Sequence, residues 1–181
     1  MKIGIFGGTF DPMHNGHLRI ITEASKKLDK VIIVPTICDY YRNPRKLFSF
    51  DERVRIITKM ITSIPYDVTI DIIEKDKDSK WRFINTLEYF RKIYPTDELY
   101  VIIGEDSYKA FDTWFRYDDI LNMSTLMVVK RGKNTNLVKT LPCELLDIGN
   151  DFLEASSTKI RDKLIEELTD MYLTDSEWYN K

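Results

Sequence analysis

Histidine is almost missing from this chain of 181 residues: only His14 and His17 occur, spaced i, i+3. Cysteine is as scarce, and Cys38 and Cys143 follow no disulfide or metal-ligand spacing. That excludes a disulfide framework and fits free thiols in a reducing compartment. No apolar run is long enough to span a bilayer, and the chain opens on a strand pattern instead of a basic stretch followed by a hydrophobic one. The expectation is a soluble, cytoplasmic protein with no membrane partner. An excess of either charge is lacking too: 27 basic against 29 acidic residues leave a net charge of −2, so nothing draws the whole surface to nucleic acid. Any basic site has to be local. Repeats, low-complexity tracts and linkers are absent, and the length suits one domain with a proper core, so residues 1–181 are expected to form a single domain.

What is present is a regular alternation of strand and helix patterns. Ile3–Phe6, Val31–Val34, Leu99–Ile103 and Leu126–Val129 are short apolar runs of the kind buried strands make, and Val68–Ile73 alternates as a further strand. Leu18 to Leu28 has helical spacing, with Leu18, Ile21, Ala24, Ser25 and Leu28 on one face. Ser49 and Glu52 form a capping box ahead of a helix carrying Val54, Ile57 and Ile61, and another helix runs from about Arg82 to Ile93. Residues 156–181 form a C-terminal helical segment. The charged stretch Glu74–Lys80 reads as a solvated loop. Such an order predicts an α/β fold: a doubly wound, mostly parallel sheet with helices on both faces, and ligands at the carboxyl ends of the strands.

Both histidines sit in one segment, Gly7-Gly8-Thr9-Phe10-Asp11-Pro12-Met13-His14-Asn15-Gly16-His17, between the first strand and the first helix. A turn of this kind offers loop amides and the free N–H groups of a helix N-terminus to an anion, and phosphate is the natural guest. Gly7, Gly8 and Gly16 permit backbone angles and a close approach that side chains would block. If the helix starts near Asn15 or Gly16, both imidazoles reach the same side of its N-terminus and share one phosphate group. Asp11-Pro12 reads as a turn element. Asp11, His14 and His17 also stand open as three ligands of a transition metal, although no fourth is suggested.

The segment GGTFDPMHNGHL at residues 7–18 is similar to the signature of the H-x-G-H nucleotidyltransferases, and within them to the nicotinic acid mononucleotide adenylyltransferases. Ser156-Ser157-Thr158-Lys159-Ile160-Arg161 resembles a second signature, S-S-T-x-I-R. Ile103-Gly104-Glu105-Asp106 with Phe111 and Trp114 resembles a G-x-D…F…W segment, and Val128–Gly132 resembles V-x-R-P-G without its proline. The resemblance implies a Rossmann-like fold and transfer of the adenylyl group of ATP to a pyridine mononucleotide, with Mg²⁺ as the ATP counterion. Oligomerisation is left open.

By the same resemblance, His14, His17, Lys46 and Arg161 are the catalytic candidates. Gly7, Gly8, Thr9, Phe10, Gly16, Asp106, Arg131, Ser157 and Thr158 are expected to bind ATP. Arg82, Thr86 and Trp114 are expected to bind the acceptor. The attacking phosphate is already an anion at neutral pH, so aligned donors matter more than a strong base. Two departures from the family's pattern stand out, the first beside the phosphate-neutralising Lys46 and the second at the acceptor. Arg45 stands where the family's P-H-K segment has histidine. Trp81-Arg82-Phe83-Ile84-Asn85-Thr86-Leu87 replaces a segment like S-Y-T-I-D-T-L, putting Arg82 and Phe83 in place of a polar Tyr-Thr pair. Nicotinamide mononucleotide and 4′-phosphopantetheine are the alternative acceptors, and a non-catalytic nucleotide-binding regulator or a zinc-dependent nucleotide hydrolase are the rivals of another kind.

Overall fold

A computed structural model describes residues 1–37, 47–78, 80–130, 140–149 and 156–176. In chain order the elements are β1 (Lys2–Gly8), α1 (Asn15–Ser25), β2 (Lys30–Pro35), α2 (Phe50–Ile61), β3 (Val68–Ile70), α3 (Phe83–Ile93), β4 (Glu98–Gly104), α4 (Glu105–Lys109), a 3₁₀ turn at Phe111–Thr113, α5 (Tyr117–Met123), β5 (Thr125–Lys130), β6 (Cys143–Asp147) and α6 (Ser157–Ser176). The six strands form one sheet in the order β3-β2-β1-β4-β5-β6, and every neighbouring pair is parallel.

Successive side chains on a strand point to opposite faces, and here both faces are covered. Ile3, Ile5, Ile32, Val34, Val101, Ile103, Leu126 and Val128 pack with Ile84, Leu87 and Phe90 of α3 and Ile120 of α5. Phe6, Val31, Ile33, Ile102, Met127 and Val129 pack on the other face with Ile20, Ile21 and Ala24 of α1 and Ile57 of α2. Burial of both faces is why these strands are apolar at every position instead of at alternate ones. Each such side chain contributes roughly 1.5–3 kcal/mol of hydrophobic stabilisation. This is the doubly wound, Rossmann-like α/β arrangement that the alternation predicts. The chain winds outward in both directions from β1 and β4, and a crevice opens at their carboxyl ends.

Four local expectations change. The third strand stops at Ile70: the Asp71 carboxylate accepts the N–H of Ile73 at 2.8 Å, an Asx turn that bends the chain out of the sheet. Helix α1 closes at Ser25, where the N–H groups of Lys27 and Leu28 both return to the Ala24 carbonyl, at 2.9 and 3.0 Å. The stretch from Glu74 is not solvated throughout, because Glu74 itself is only 5% exposed. Three elements, β6, α4 and α5, were not expected. The Ser49–Glu52 capping box forms as read, with the Ser49 N–H donating to Glu52 Oε2 at 2.8 Å and the Glu52 N–H to Ser49 Oγ at 3.3 Å. No helix among the described residues is long and apolar enough to cross a membrane.

Candidate active site

The carboxyl end of β1 delivers Gly7 and Gly8 to the crevice, and the chain re-enters regular structure at α1 with His14 as its N-cap. His17 lies in the first turn, and the i, i+3 spacing stacks the two imidazoles, with centroids 3.7 Å apart and planes 26° from parallel. The backbone N–H of His14 donates to Nδ1 of His17 at 3.2 Å. A ring nitrogen that accepts carries no proton, so neutral His17 holds its proton on Nε2, on the far side of the ring. The pair thus combines a helix N-terminus with an oriented ring donor, the donor set that a phosphate group requires.

Gly7 and Gly8 are needed for space and not for backbone angles; among the described glycines only Gly149 has a positive φ. A Cβ on Gly8 would lie 2.9 Å from Cζ of Phe10, and one on Gly7 would lie 3.3 Å from Cε2 of Phe83. The left-handed position belongs to Phe10, at φ +47°, which is rare for a bulky residue. Its ring is fixed edge-on to Phe6 at 5.3 Å and to His17 at 5.1 Å, so packing holds the backbone there. Gly16 is buried in the first turn of α1.

Asp11 is buried, and its carboxylate accepts the N–H groups of Leu47 and Phe48 at 2.9 and 2.8 Å. Both oxygens therefore serve the backbone, and among the described residues no group of three His, Cys, Asp or Glu side chains is placed to hold a metal ion. A cis peptide joins Asp11 to Pro12. The N-terminal turn of α6 docks on this turn: Ser157 Oγ donates to the Pro12 carbonyl at 2.8 Å, and Arg161 Nη1 donates to the Asp11 carbonyl at 2.6 Å. Arg161 Nη2 also donates to Thr158 Oγ1 at 3.0 Å. The two signatures, far apart in sequence, are one structure.

Beside this turn an open cleft is lined by Gly7, Gly8, Thr9, Arg82 and Trp114, together with Trp81, Phe83 and Phe115. Trp114 packs on Phe111 at 5.0 Å and on Phe83 at 5.5 Å, so it is at once a structural anchor and a cleft wall. Phe83, the departure from the polar pattern, fills the space between Gly7 and that indole. Arg82 is the N-cap of α3, its own N–H donating to Asn85 Oδ1 at 2.9 Å. Thr86 does not line the cleft. It is fully buried beneath it, accepting from Trp81 Nε1 and donating to Glu74 Oε1, each at 2.8 Å. Asp106 is exposed in the first turn of α4, after the carboxyl end of β4. Lys46, Arg45 and Arg131 lie outside the described residues, as do Cys38 and 177–181.

Sequence reading misses Arg53, Glu74 and Trp81. Arg53 is 1% exposed, and its Nη1 donates to the carbonyls of Thr9 at 2.6 Å and Thr36 at 2.9 Å. Burial pushes its pKa down, and the charge of Asp11 acts against that shift. The available signal is position: Arg53 stands four residues before Ile57, on the buried face of α2. Burial also pushes the Glu74 carboxyl up, against the hydrogen bonds from Thr86 and the Ile37 N–H.

A model of the family described as cytidylyltransferase-like matches residues 5–163. A protein of Bacillus pumilus named "Probable nicotinate-nucleotide adenylyltransferase" is 33% identical over 174 residues, covering 95% of this chain and 90% of its own length. One of the same name from Thermotoga petrophila is 34% identical over 172 residues, covering 90% and 85%. Among solved structures, the nicotinic acid mononucleotide adenylyltransferase of Plasmodium falciparum complexed with NaAD shares the fold at a TM-score of 0.72 and 18% identity, over 89% of this chain and 82% of that one. The stacked histidines at the start of α1, the second signature docked on their turn, and these relatives agree: the chain belongs to the cytidylyltransferase-like family and, within it, to the nicotinate-nucleotide adenylyltransferases.

Proposed function

We infer that the protein transfers the adenylyl group of ATP to the phosphate of nicotinic acid mononucleotide, giving deamido-NAD and pyrophosphate in NAD biosynthesis. A phosphate oxygen of the mononucleotide attacks the α-phosphorus, the bond from that phosphorus to the α,β-bridging oxygen breaks, and pyrophosphate leaves with the bonding electrons. Relatives of that name over nearly the whole chain support the reaction. The observation that carries it here is the His14–His17 stack at the N-terminus of α1, on the turn whose first residues, Gly7, Gly8 and Thr9, line the aromatic cleft.

The roles follow from position. His14, His17 and the first-turn amides of α1 hold the phosphates and stabilise charge as it shifts toward the leaving group. Ser157, Thr158 and Arg161 stand at a second helix N-terminus against the same turn and receive the pyrophosphate. Mg²⁺ arrives with ATP as part of the substrate, held by phosphate oxygens and water. Trp114 stacks on the pyridine ring, and the Arg82 cation pairs with its carboxylate. We place the reaction in the cytoplasm, which suits an ATP-consuming chain without a paired-cysteine pattern.

Pyrophosphate release from Mg·ATP, measured with nicotinic acid mononucleotide, nicotinamide mononucleotide, phosphopantetheine and no acceptor, tests the reading. Preference for the nicotinic acid compound is expected, and Arg82→Gln should raise its KM while leaving the KM for ATP unchanged. Equal use of the amide would remove the role of Arg82. ATP binding with no release for any acceptor would identify a regulator, and release without an acceptor a hydrolase.

A further inference from the structure

We propose that Arg53 and Glu74 are positioning residues that grip the Thr36–Ile37 peptide from both ends and so hold the phosphate turn and the aromatic cleft in one arrangement; the inference rests on the adenylyl-transfer reading. Arg53 projects from α2 into the space where β1 and β2 end. Its two acceptors, the carbonyls of Thr9 and Thr36, are the first after Gly8 and Pro35, the last residues of those strands. The Phe50 ring lies 5.2 Å from the guanidinium, and among the described residues no carboxylate pairs with it at ion-pair distance. A buried cation held by neutral carbonyls is a poor way to fill a core, which an apolar side chain of similar volume does at less cost. What it does well is fix the direction of two peptide planes.

In a trans peptide the C=O and the following N–H point opposite ways, and the only cis bond among the described residues is Asp11-Pro12. Drawing the Thr9 carbonyl to Arg53 therefore turns the N–H of Phe10 away from α2, and it does so at the residue held at φ +47°. Drawing in the Thr36 carbonyl turns out the N–H of Ile37, which bonds to the Glu74 carboxylate. Glu74 Oε1 takes the hydroxyl of Thr86, and that hydroxyl takes the indole N–H of Trp81, whose ring lines the cleft. One line of polar contacts, buried at Arg53, Glu74 and Thr86 and partly exposed elsewhere, runs from the phosphate turn to the acceptor wall: Thr9, Arg53, the Thr36–Ile37 peptide, Glu74, Thr86, Trp81.

The test is steady-state pyrophosphate release from Mg·ATP and nicotinic acid mononucleotide, with each variant assayed well below its own melting temperature. The variants are Arg53→Met, Arg53→Lys, Glu74→Gln and the Arg53→Lys, Glu74→Gln double variant, with Ile57→Val on the same helix as a stability control. Arg53→Met should lower kcat about 100-fold, the loss of a preorganised donor, with the KM for ATP nearly unchanged. Arg53→Lys should recover roughly a tenth of wild-type kcat, since one ammonium still reaches a carbonyl. Ile57→Val should lower the melting temperature alone. The double variant should lose less than the product of its parents' losses.

A kcat for Arg53→Met within about threefold of wild type overturns the proposal, as does a loss that merely follows the melting temperature in the way Ile57→Val does. If Arg53→Met does not fold, Arg53→Lys against Ile57→Val decides by the same split. If wild type itself releases no pyrophosphate, the reaction is misassigned, and amide exchange then judges the brace. Faster exchange at residues 9–13 and 36–37 in Arg53→Lys but not in Ile57→Val supports it; equal exchange overturns it.

Discussion

Replacing His17 separates two jobs that one ring performs. Its Nδ1 accepts the N–H of His14 and so closes the start of α1, while its Nε2–H, across the ring, is the donor assigned to phosphate. In His17→Ala both are lost. The missing cap costs about 0.5–2 kcal/mol, and at this chain length each kcal/mol shifts Tm by about 2–4 °C, so a drop of roughly 1–8 °C is expected. The missing donor removes roughly 10²–10³ from kcat, or about 2.7–4 kcal/mol of barrier stabilisation. His17→Gln tells the two apart, because a glutamine at the third helical position reaches back to the N-cap N–H through its own oxygen. It should restore Tm and leave kcat low, with the KM for ATP close to wild type in both variants. Thermal melts beside steady-state pyrophosphate release give both readouts. If His17→Gln recovers kcat along with Tm, the ring is only a cap and the transition-state role is refuted.

Arg161→Met breaks a charged hydrogen bond of 2.6 Å to the Asp11 carbonyl and should cost about 1–2 kcal/mol in a denaturant melt besides lowering kcat; an unchanged midpoint would mean that α6 is not seated by this contact. Gly8→Ala drives a methyl against a Phe10 ring already confined by Phe6 and His17, and should destabilise by about 1–3 kcal/mol by overpacking. A neutral result in the same melt would show that the ring swings freely. Glu74 gives a pH signature. Its folded pKa lies above the ordinary carboxylate value because of burial, so its contribution to stability is full below that ordinary value and is lost as pH rises through the raised one. Melting temperatures from pH 4 to 8 should show wild type losing ground steadily against Glu74→Gln; the opposite slope would contradict a burial-driven shift.

The parts of the fold that sequence reveals are those whose burial is uniform. The runs Ile3–Phe6, Val31–Val34, Leu99–Ile103 and Leu126–Val129 are legible because helices cover both faces of their strands. Strand β6 is not, because on this sheet edge Leu146 is its only fully buried residue and acidic Glu144 and Asp147 flank its leucines. Helices α4 and α5, of 5 and 7 residues, are too short for a period to register. The same contrast holds in the site. His14, His17 and the glycines are contiguous, and the i, i+3 spacing states their geometry, whereas Arg53 and Glu74 look like solvated charges. Their burial depends on carbonyls and hydroxyls contributed by distant segments, which no local pattern records.

Ser157 and Arg161 reach Pro12 and Asp11 across 145 and 150 positions of sequence. Synthesis runs from the N-terminus, so the turn bearing both histidines leaves the ribosome early and the helix that seats it leaves late. Closing so long a loop is entropically costly, and contacts of such separation form slowly. Until α6 has been made, the turn therefore lacks these two hydrogen bonds. The hydrogen bonds that seat the histidine-bearing turn are thus made last in chain order, by the helix that follows every strand of the sheet.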